Sequence, residues 1–299
     1  MKVGFIGLGI MGAPMAGHLQ KGGHELFLHD LAPDLPANLL QGGAVACDSN
    51  RAVAEQAGVV ILMVPDTPDT EAALFGQDGA AEGLRAGQLV VDMSSISPTA
   101  TTEFAARINA LGCLYLDAPV SGGVAGAENA KLTIMVGGPQ EAFDRAKPLF
   151  ELMGGTVTLI GTRNGDGQVC KACNQIIVGV TVQAVAEALV LATKAGADPA
   201  IVRQALMGGA AGSVILENHG ARMIEGNFEP GFRAELQQKD LNVVLSAARD
   251  LGVVLPLAAT AESLYNALNA RGQSKIDHSA VVTVLEDLAS CQVSPKGRS

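Results

Sequence analysis

Gly7-Leu8-Gly9-Ile10-Met11-Gly12 is a G-x-G-x-x-G run, a spacing that brings backbone amides close to a pyrophosphate. Gly7 permits a tight turn, Gly9 lets the chain approach phosphate oxygens, and Gly12 allows a helix to pack closely on the preceding strand. Free N–H groups and the positive dipole end at that helix start attract the anion. Asp30, 18 residues beyond Gly12, ends the next apolar run, where a carboxylate accepts hydrogen bonds from adenosine ribose hydroxyls. The same carboxylate repels a 2′-phosphate, and no Arg lies between Asp30 and Arg51 to receive one. The cofactor expected is therefore NAD(H) in preference to NADP(H), with NADP(H) still possible. Other reactive types are scattered. The five histidines (18, 24, 29, 219 and 278) show no H-x-x-x-H or H-E-x-x-H spacing, so no metal site is expected. Cys170 and Cys173 form a C-x-x-C within a predicted helix, without the strand of a redox dithiol, and read as packing residues. In Asp277-His278-Ser279 adjacent residues cannot form a relay; Asp277 or Ser279 more simply caps the last helix.

Strand and helix signals alternate through the first half. Lys2–Ile6 and Glu25–His29 are short β-rich runs flanking a helical stretch, Ala13–Lys21. Val59–Val64 is continuously apolar up to Pro65, as in a strand buried on both faces of a parallel sheet, and Leu89–Met93 repeats the pattern. Ser49 caps a helix reaching Ala57, and Ser97-Pro98 opens one reaching about Leu111. Leu114–Val120, Leu132–Val136 and Val157–Ile160 are further strands, with Gln140–Met153 helical. This order predicts an α/β fold with an N-terminal Rossmann doubly wound sheet. Gly161–Gly167 is a turn-rich joint. Residues 168–195 follow as one helix of about 42 Å at 1.5 Å per residue. Helices then occupy 199–207, 213–223, 233–251, 257–270 and 279–289. The expected organisation is a dinucleotide-binding domain over 1–163 and an all-helical substrate and oligomerisation domain over 164–299, joined by the long helix. That helix is apolar on all sides and needs covering on several faces, so a homo-oligomer, dimer or tetramer, is expected.

Composition excludes other classes. The 299 residues carry a net charge of −10, which disfavours nucleic-acid or anionic-membrane partners. Ten Phe and Tyr residues and no Trp leave little material for base stacking. The 48% hydrophobic content excludes a disordered chain, and five cysteines in a chain of this size fit free thiols in the cytoplasm. Ile176–Thr193 is the longest apolar stretch; it contains Gln183 and Glu187, and reads as a buried helix rather than a membrane span.

Three further segments carry a resemblance. Asp117-Ala118-Pro119-Val120-Ser121-Gly122-Gly123 lies at a strand end, Gly167–Asn174 opens the long helix, and Lys239-Asp240-Leu241 lies in a later helix. With Phe5–Gly12 they resemble the β-hydroxyacid dehydrogenase (3-hydroxyisobutyrate dehydrogenase-like) family over nearly the whole chain. Within it, Asp92–Pro98, Asn174–Val178, Ala192–Gly196, Phe228–Phe232 and Asp277–Ala280 are most similar to the branch that reduces tartronate semialdehyde (2-hydroxy-3-oxopropanoate) reversibly to D-glycerate. The resemblance implies that Lys171 is catalytic. It also implies that Ser121, Gly122, Gly123 and Asn174 hold the substrate, and that Val64, Pro65, Ser95 and Lys239 line the nicotinamide side of the cofactor. Some family members carry Asn where this chain has Gln175, which leaves Asn174 as the asparagine at this site.

The chemistry of these residue types agrees. Carbonyl reduction needs a hydride at carbon and a proton at the developing alkoxide, and a lysine ammonium supplies both proton and charge stabilisation. Desolvation of such an amine brings its pKa toward neutrality. Asn174, at i+3 from Lys171, shares its helical face. Ser121 and the Gly-Gly backbone offer O–H and N–H donors to a carboxylate with no Cβ in the way. Alternative substrates are 3-hydroxyisobutyrate or another short 3-hydroxy acid, since one methyl or hydroxyl changes pocket affinity by only about 1–3 kcal/mol. A 6-phosphogluconate enzyme is expected to be longer and to present cations to a phosphate. A non-catalytic dinucleotide-binding sensor is the alternative of another class.

Overall fold

The computed structural model describes residues 1–294; the residues from 295 on lie outside it. Its chain divides into two units, Met1–Lys171 and Ala172–Ser299.

The first unit begins with β1 (Lys2–Ile6), α1 (Gly12–Lys21), β2 (Glu25–His29), α2 (Ala37–Gln41), β3 (Val45–Ala46), α3 (Asn50–Gln56) and β4 (Val59–Leu62). It continues with α4 (Thr67–Phe75), α5 (Ala80–Gly83), β5 (Leu89–Asp92), α6 (Pro98–Ala110), β6 (Leu114–Asp117) and β7 (Val120–Ser121). It ends with α7 (Gly123–Glu128), β8 (Leu132–Gly137), α8 (Gln140–Met153), β9 (Gly154–Gly161) and the start of α9 (Asp166–Lys194). The sheet order is β3-β2-β1-β4-β5-β6-β8-β7, with β9 pairing β8. Strands β3 to β6 are all parallel, and the order reverses between β1 and β4, the switch point of a doubly wound sheet. Both faces of β4 and β5 are buried, which explains their unbroken apolar runs.

Several elements differ from the sequence expectation. The predicted strand 114–120 is two strands, β6 and β7, separated at Ala118-Pro119; β7 continues along the same edge of β8 the antiparallel register that Asp117 begins opposite Gly137. The strand predicted to reach Val64 stops at Leu62, which releases Met63 and Val64 into the turn above the sheet. The last strand is longer than expected, 154–161. The short α2, α4, α5 and α7 and the two-residue β3 were not foreseen; pieces this small complete too few turns for a periodic signal. The caps behaved as local chemistry requires. Ser49 accepts from the Ala52 amide and Ser97 from the Ala100 amide.

The second unit is helical. It contains the rest of α9, then α10 (Pro199–Met207), α11 (Val214–Glu225), α12 (Ala234–Asp250) and α13 (Pro256–Ala270). A 3-10 turn (His278–Val281), capped by Asp277, leads into α14 (Val282–Ala289). Its core is built on Val182, Leu189, Leu216, Met223, Leu241 and Tyr265. The glycine inside α9, Gly179, has a packing reason: an added Cβ would stand 3.0 Å from the Gln237 amide and 3.3 Å from Leu241 on α12.

Candidate active site

The glycine loop separates into structural and ligand-facing positions. Gly7 has φ +89°, and a Cβ there would lie 2.3 Å from the Met63 carbonyl. A Cβ on Gly12 would lie 2.0 Å from the Gly7 carbonyl. Gly9 is exposed, and a Cβ on it would meet nothing within 4 Å, so its space belongs to no protein atom. Leu8, Ile10 and Met11 complete the turn, with Ile10 63% exposed. The loop therefore fits a pyrophosphate: two glycines build the turn and the third keeps its outer side open. Asp30, at the end of β2, accepts from the Leu8 and Ala32 amides. It thereby holds the loop while lining a cleft with Asp34 and Asp48.

A continuous hydrogen-bonded network crosses the C-terminal ends of the strands. The Val64 amide donates to Ser94 Oγ (3.0 Å), and the Ser94 amide donates to Asp92 Oδ1 (2.9 Å). Tyr115 Oη donates to Asp92 Oδ2 (3.1 Å). Asp117, fully buried, accepts from the Gly165 amide (2.7 Å) and the Gln168 amide (2.9 Å), and so caps the first turn of α9. Burial, opposed by those two bonds, pushes its carboxyl up to about 6. The Gln168 side chain, 1% exposed, donates to the Ser94 carbonyl (2.7 Å) and accepts from the Ile96 amide (3.2 Å), bracketing Ser95. One turn further along α9, Lys171 is 9% exposed and its Nζ donates to the Val120 carbonyl (2.8 Å). Val120 directly precedes Ser121, Gly122 (φ +128°) and Gly123 (φ +59°). Both glycines occupy the left-handed region, which keeps their turn free of side chains. The ammonium and the Ser-Gly-Gly turn are thus neighbours, and Val64, Pro65 and Ser95 lie at the ends of β4 and β5.

In the helical unit, Asn174 and Lys239 are linked. Asn174 Nδ2 donates to Gln175 Oε1 (2.7 Å), Gln175 Nε2 donates to Asp240, and Lys239 Nζ pairs with Asp240 Oδ1 (2.7 Å). Gln175, the departure from the family pattern, is the buried connector of this chain. Sequence reasoning assigned no role to Gln168, Asp117 or Gln175. Their signal was polarity at positions that an apolar helix face or a buried strand end would otherwise fill.

All five cysteines are free, but Cys173 is exposed rather than packed: the helical turn carries it outward while Lys171 and Gln175 face inward. His219, Asp277 and His278 come together although nothing in their spacing foretold it. Asp277 spends its oxygens on the Gly231, Phe232 and Ser279 amides and the Ser279 hydroxyl, with Arg222 3.5 Å away. This is a structural hub for the turn before α14, and an adjacent guanidinium opposes a cation there. Burial lowers His278 to about 4, keeping it neutral against the His219 ring.

Residues 2–161 match the family model described as the NAD binding domain of 6-phosphogluconate dehydrogenase. Residues 165–285 match the NAD-binding domain of NADP-dependent 3-hydroxyisobutyrate dehydrogenase. The chain is 53% identical to 2-hydroxy-3-oxopropionate reductase of Escherichia coli K12, covering 97% of this chain and 99% of the relative. The chain belongs to the 3-hydroxyisobutyrate dehydrogenase-like family. It is an NAD(P)-dependent oxidoreductase acting on a CH–OH group. Among other members, 3-hydroxyisobutyrate dehydrogenase of Pseudomonas aeruginosa is 36% identical, over 88% of this chain and 91% of its own. The crystal structure of 3-hydroxyisobutyrate dehydrogenase from Salmonella typhimurium superposes with a TM-score of 0.86 at 33% identity, covering 95% and 99% of the two chains. For this oxidoreductase a nicotinamide dinucleotide is the cofactor.

Proposed function

We propose that this oxidoreductase reduces tartronate semialdehyde reversibly to D-glycerate, with Lys171 as general acid in reduction and general base in oxidation. The observation that carries it is the neighbourhood of the Lys171 ammonium and the Ser121-Gly122-Gly123 turn, bridged by the Val120 carbonyl. The 53% identity to a 2-hydroxy-3-oxopropionate reductase favours this substrate over 3-hydroxyisobutyrate, whose dehydrogenases are more distant among the relatives compared. Membership of an oxidoreductase family leaves the sensor alternative without support.

Bound NAD(H) supplies or accepts the hydride at the substrate's reacting carbon. Ser121 Oγ and the Gly122 and Gly123 amides donate hydrogen bonds to the substrate carboxylate, and Asn174 assists them. Lys171 Nζ gives its proton to the aldehyde oxygen as negative charge develops there, and takes it back from the hydroxyl in the reverse direction. The Val120 carbonyl holds the ammonium for that transfer. Val64, Pro65, Ser95 and Lys239 flank the nicotinamide. Asp30 prefers NAD(H), supported by the company of Asp34 and Asp48 in a cleft whose lining has no Lys or Arg. A cytoplasmic, homo-oligomeric enzyme without nucleic-acid or membrane partners completes the proposal.

Steady-state rates with tartronate semialdehyde and with the aldehyde of 3-hydroxyisobutyrate test the substrate. Tartronate semialdehyde should have the higher kcat/KM by about tenfold or more, the scale set by one pocket group; the reverse order would transfer the enzyme to the other branch. Lys171→Ala should lower kcat by about 10²–10⁴-fold while NADH still binds. Near-normal turnover in that variant would remove Lys171 from the role.

A further inference from the structure

We infer that Gln168 is a positioning residue that ties the catalytic lysine to the nicotinamide-side loop. Its amide side chain bridges the Ser94 carbonyl and the Ile96 amide, while its own backbone N–H is held by Asp117, one helical turn before Lys171. The inference rests on the proposed role of Lys171 and extends it.

Three features single Gln168 out. It is 1% exposed, and its side-chain oxygen and nitrogen are both engaged, which is costly to replace and unnecessary for helix packing alone. Its two partners flank Ser95 on either side, so the side chain fixes the path of that loop before and after Ser95. The loop is also connected backward: Ser94 Oγ receives the Val64 amide, and the Ser94 amide reaches Asp92. A displacement of Gln168 therefore moves the end of β4, the end of β5 and the first turn of α9 with respect to one another. Hydride and proton must arrive at adjacent atoms of one carbonyl, so a relative shift of these segments alters the reaction geometry more than the binding of either ligand. Apolar side chains of the same length would fill the volume but leave the Ser94 carbonyl and the Ile96 amide buried without partners.

Gln168→Met and Gln168→Glu in the full-length protein test this. Met removes both side-chain bonds at similar volume; Glu keeps the acceptor for the Ile96 amide and loses the donor to the Ser94 carbonyl. In Gln168→Met, kcat should fall by about 10–100-fold, the range a small misplacement costs. The NADH dissociation constant should stay within about threefold, because the Gly7–Gly12 loop is untouched, and the primary isotope effect with deuterated NADH should rise. Gln168→Glu should fall between Met and wild type. Acetylation of Lys171 by trace acetic anhydride, read by peptide mass spectrometry, reports the same geometry without turnover; its rate should change severalfold in Gln168→Met. Wild-type kcat, isotope effect and labelling rate in a folded Gln168→Met variant would overturn the inference, and Gln168→Glu decides by the same criteria where Met prevents folding. If the wild type fails to reduce tartronate semialdehyde yet the labelling rate still shifts, the substrate assignment falls and the positioning role stands.

Discussion

Charge at single residues bears on the proposed cofactor preference and on pH behaviour. Asp30 serves two partners, holding the Leu8 amide of the glycine loop and facing the cleft that Asp34 and Asp48 line. A 2′-phosphate entering there meets carboxylates and no cation, so Asp30→Ser should improve kcat/KM with NADPH relative to NADH by about tenfold, from removal of one close like charge. Better use of NADPH than NADH by the unaltered enzyme would reject the proposed preference. His278 behaves differently. Its neutral form is favoured by burial in the folded helical unit, with a pKa of about 4 against an ordinary 6.5. The folded state thus binds fewer protons than the unfolded chain between those values. Stability from this residue is present above pH 6.5 and is lost as pH falls through 4, at up to about 1.4 kcal/mol per pH unit. Thermal melts across that window should show a steep fall for wild type and a shallower one for His278→Asn, which retains a donor toward Gln237. Parallel slopes would show that His278 does not titrate as its burial requires.

At the scale of elements, the strand-loop-helix unit that opens the chain shows how glycines with the same spacing do different work. Gly12 lies against the Gly7 carbonyl at the start of α1, whereas Gly9 faces open space. Gly12→Ala should therefore lower both stability, by about 1–3 kcal/mol from overpacking, and NADH affinity. Gly9→Ala should weaken NADH binding while leaving the melting temperature of the ligand-free protein near wild type. Equal melting temperatures for the two variants would contradict this division. The start of α9 follows related logic. Asp117 from β6 takes the Gly165 and Gln168 amides, so a sheet end, not a residue adjacent in sequence, provides the cap. That is why a local search for a capping residue could recognise Ser49 and Ser97 but not this one.

For the molecule as a whole, α9 raises the question of what covers it. Ile177 and Leu191 are 66% and 72% exposed, and only 39% of its most apolar 18-residue window is buried. With one Lys and no acidic residue between Cys170 and Ala186, that surface is costly to leave in water. The proposed homo-oligomer buries it. Light scattering of the dilute enzyme should give at least twice the chain mass, and Ile177→Glu combined with Leu191→Glu should reduce it; a single-chain mass for wild type would refute the proposal. What the sequence by itself determined is the order of the longer strands and helices, the glycine loop with Asp30 and the family motifs. Each depends on residues close in the chain, where strand propensity, glycine conformations and helix caps act locally. Tertiary structure alone decided that Asp117, Gln168 and Ser94 form one network, with Gln168 and Ser94 74 positions apart. It also decided that Gln175 joins Asn174 to Asp240, and that Cys173 faces outward. Such pairings arise when distant segments converge, and the need to satisfy buried polar groups chooses among partners that no linear spacing can distinguish.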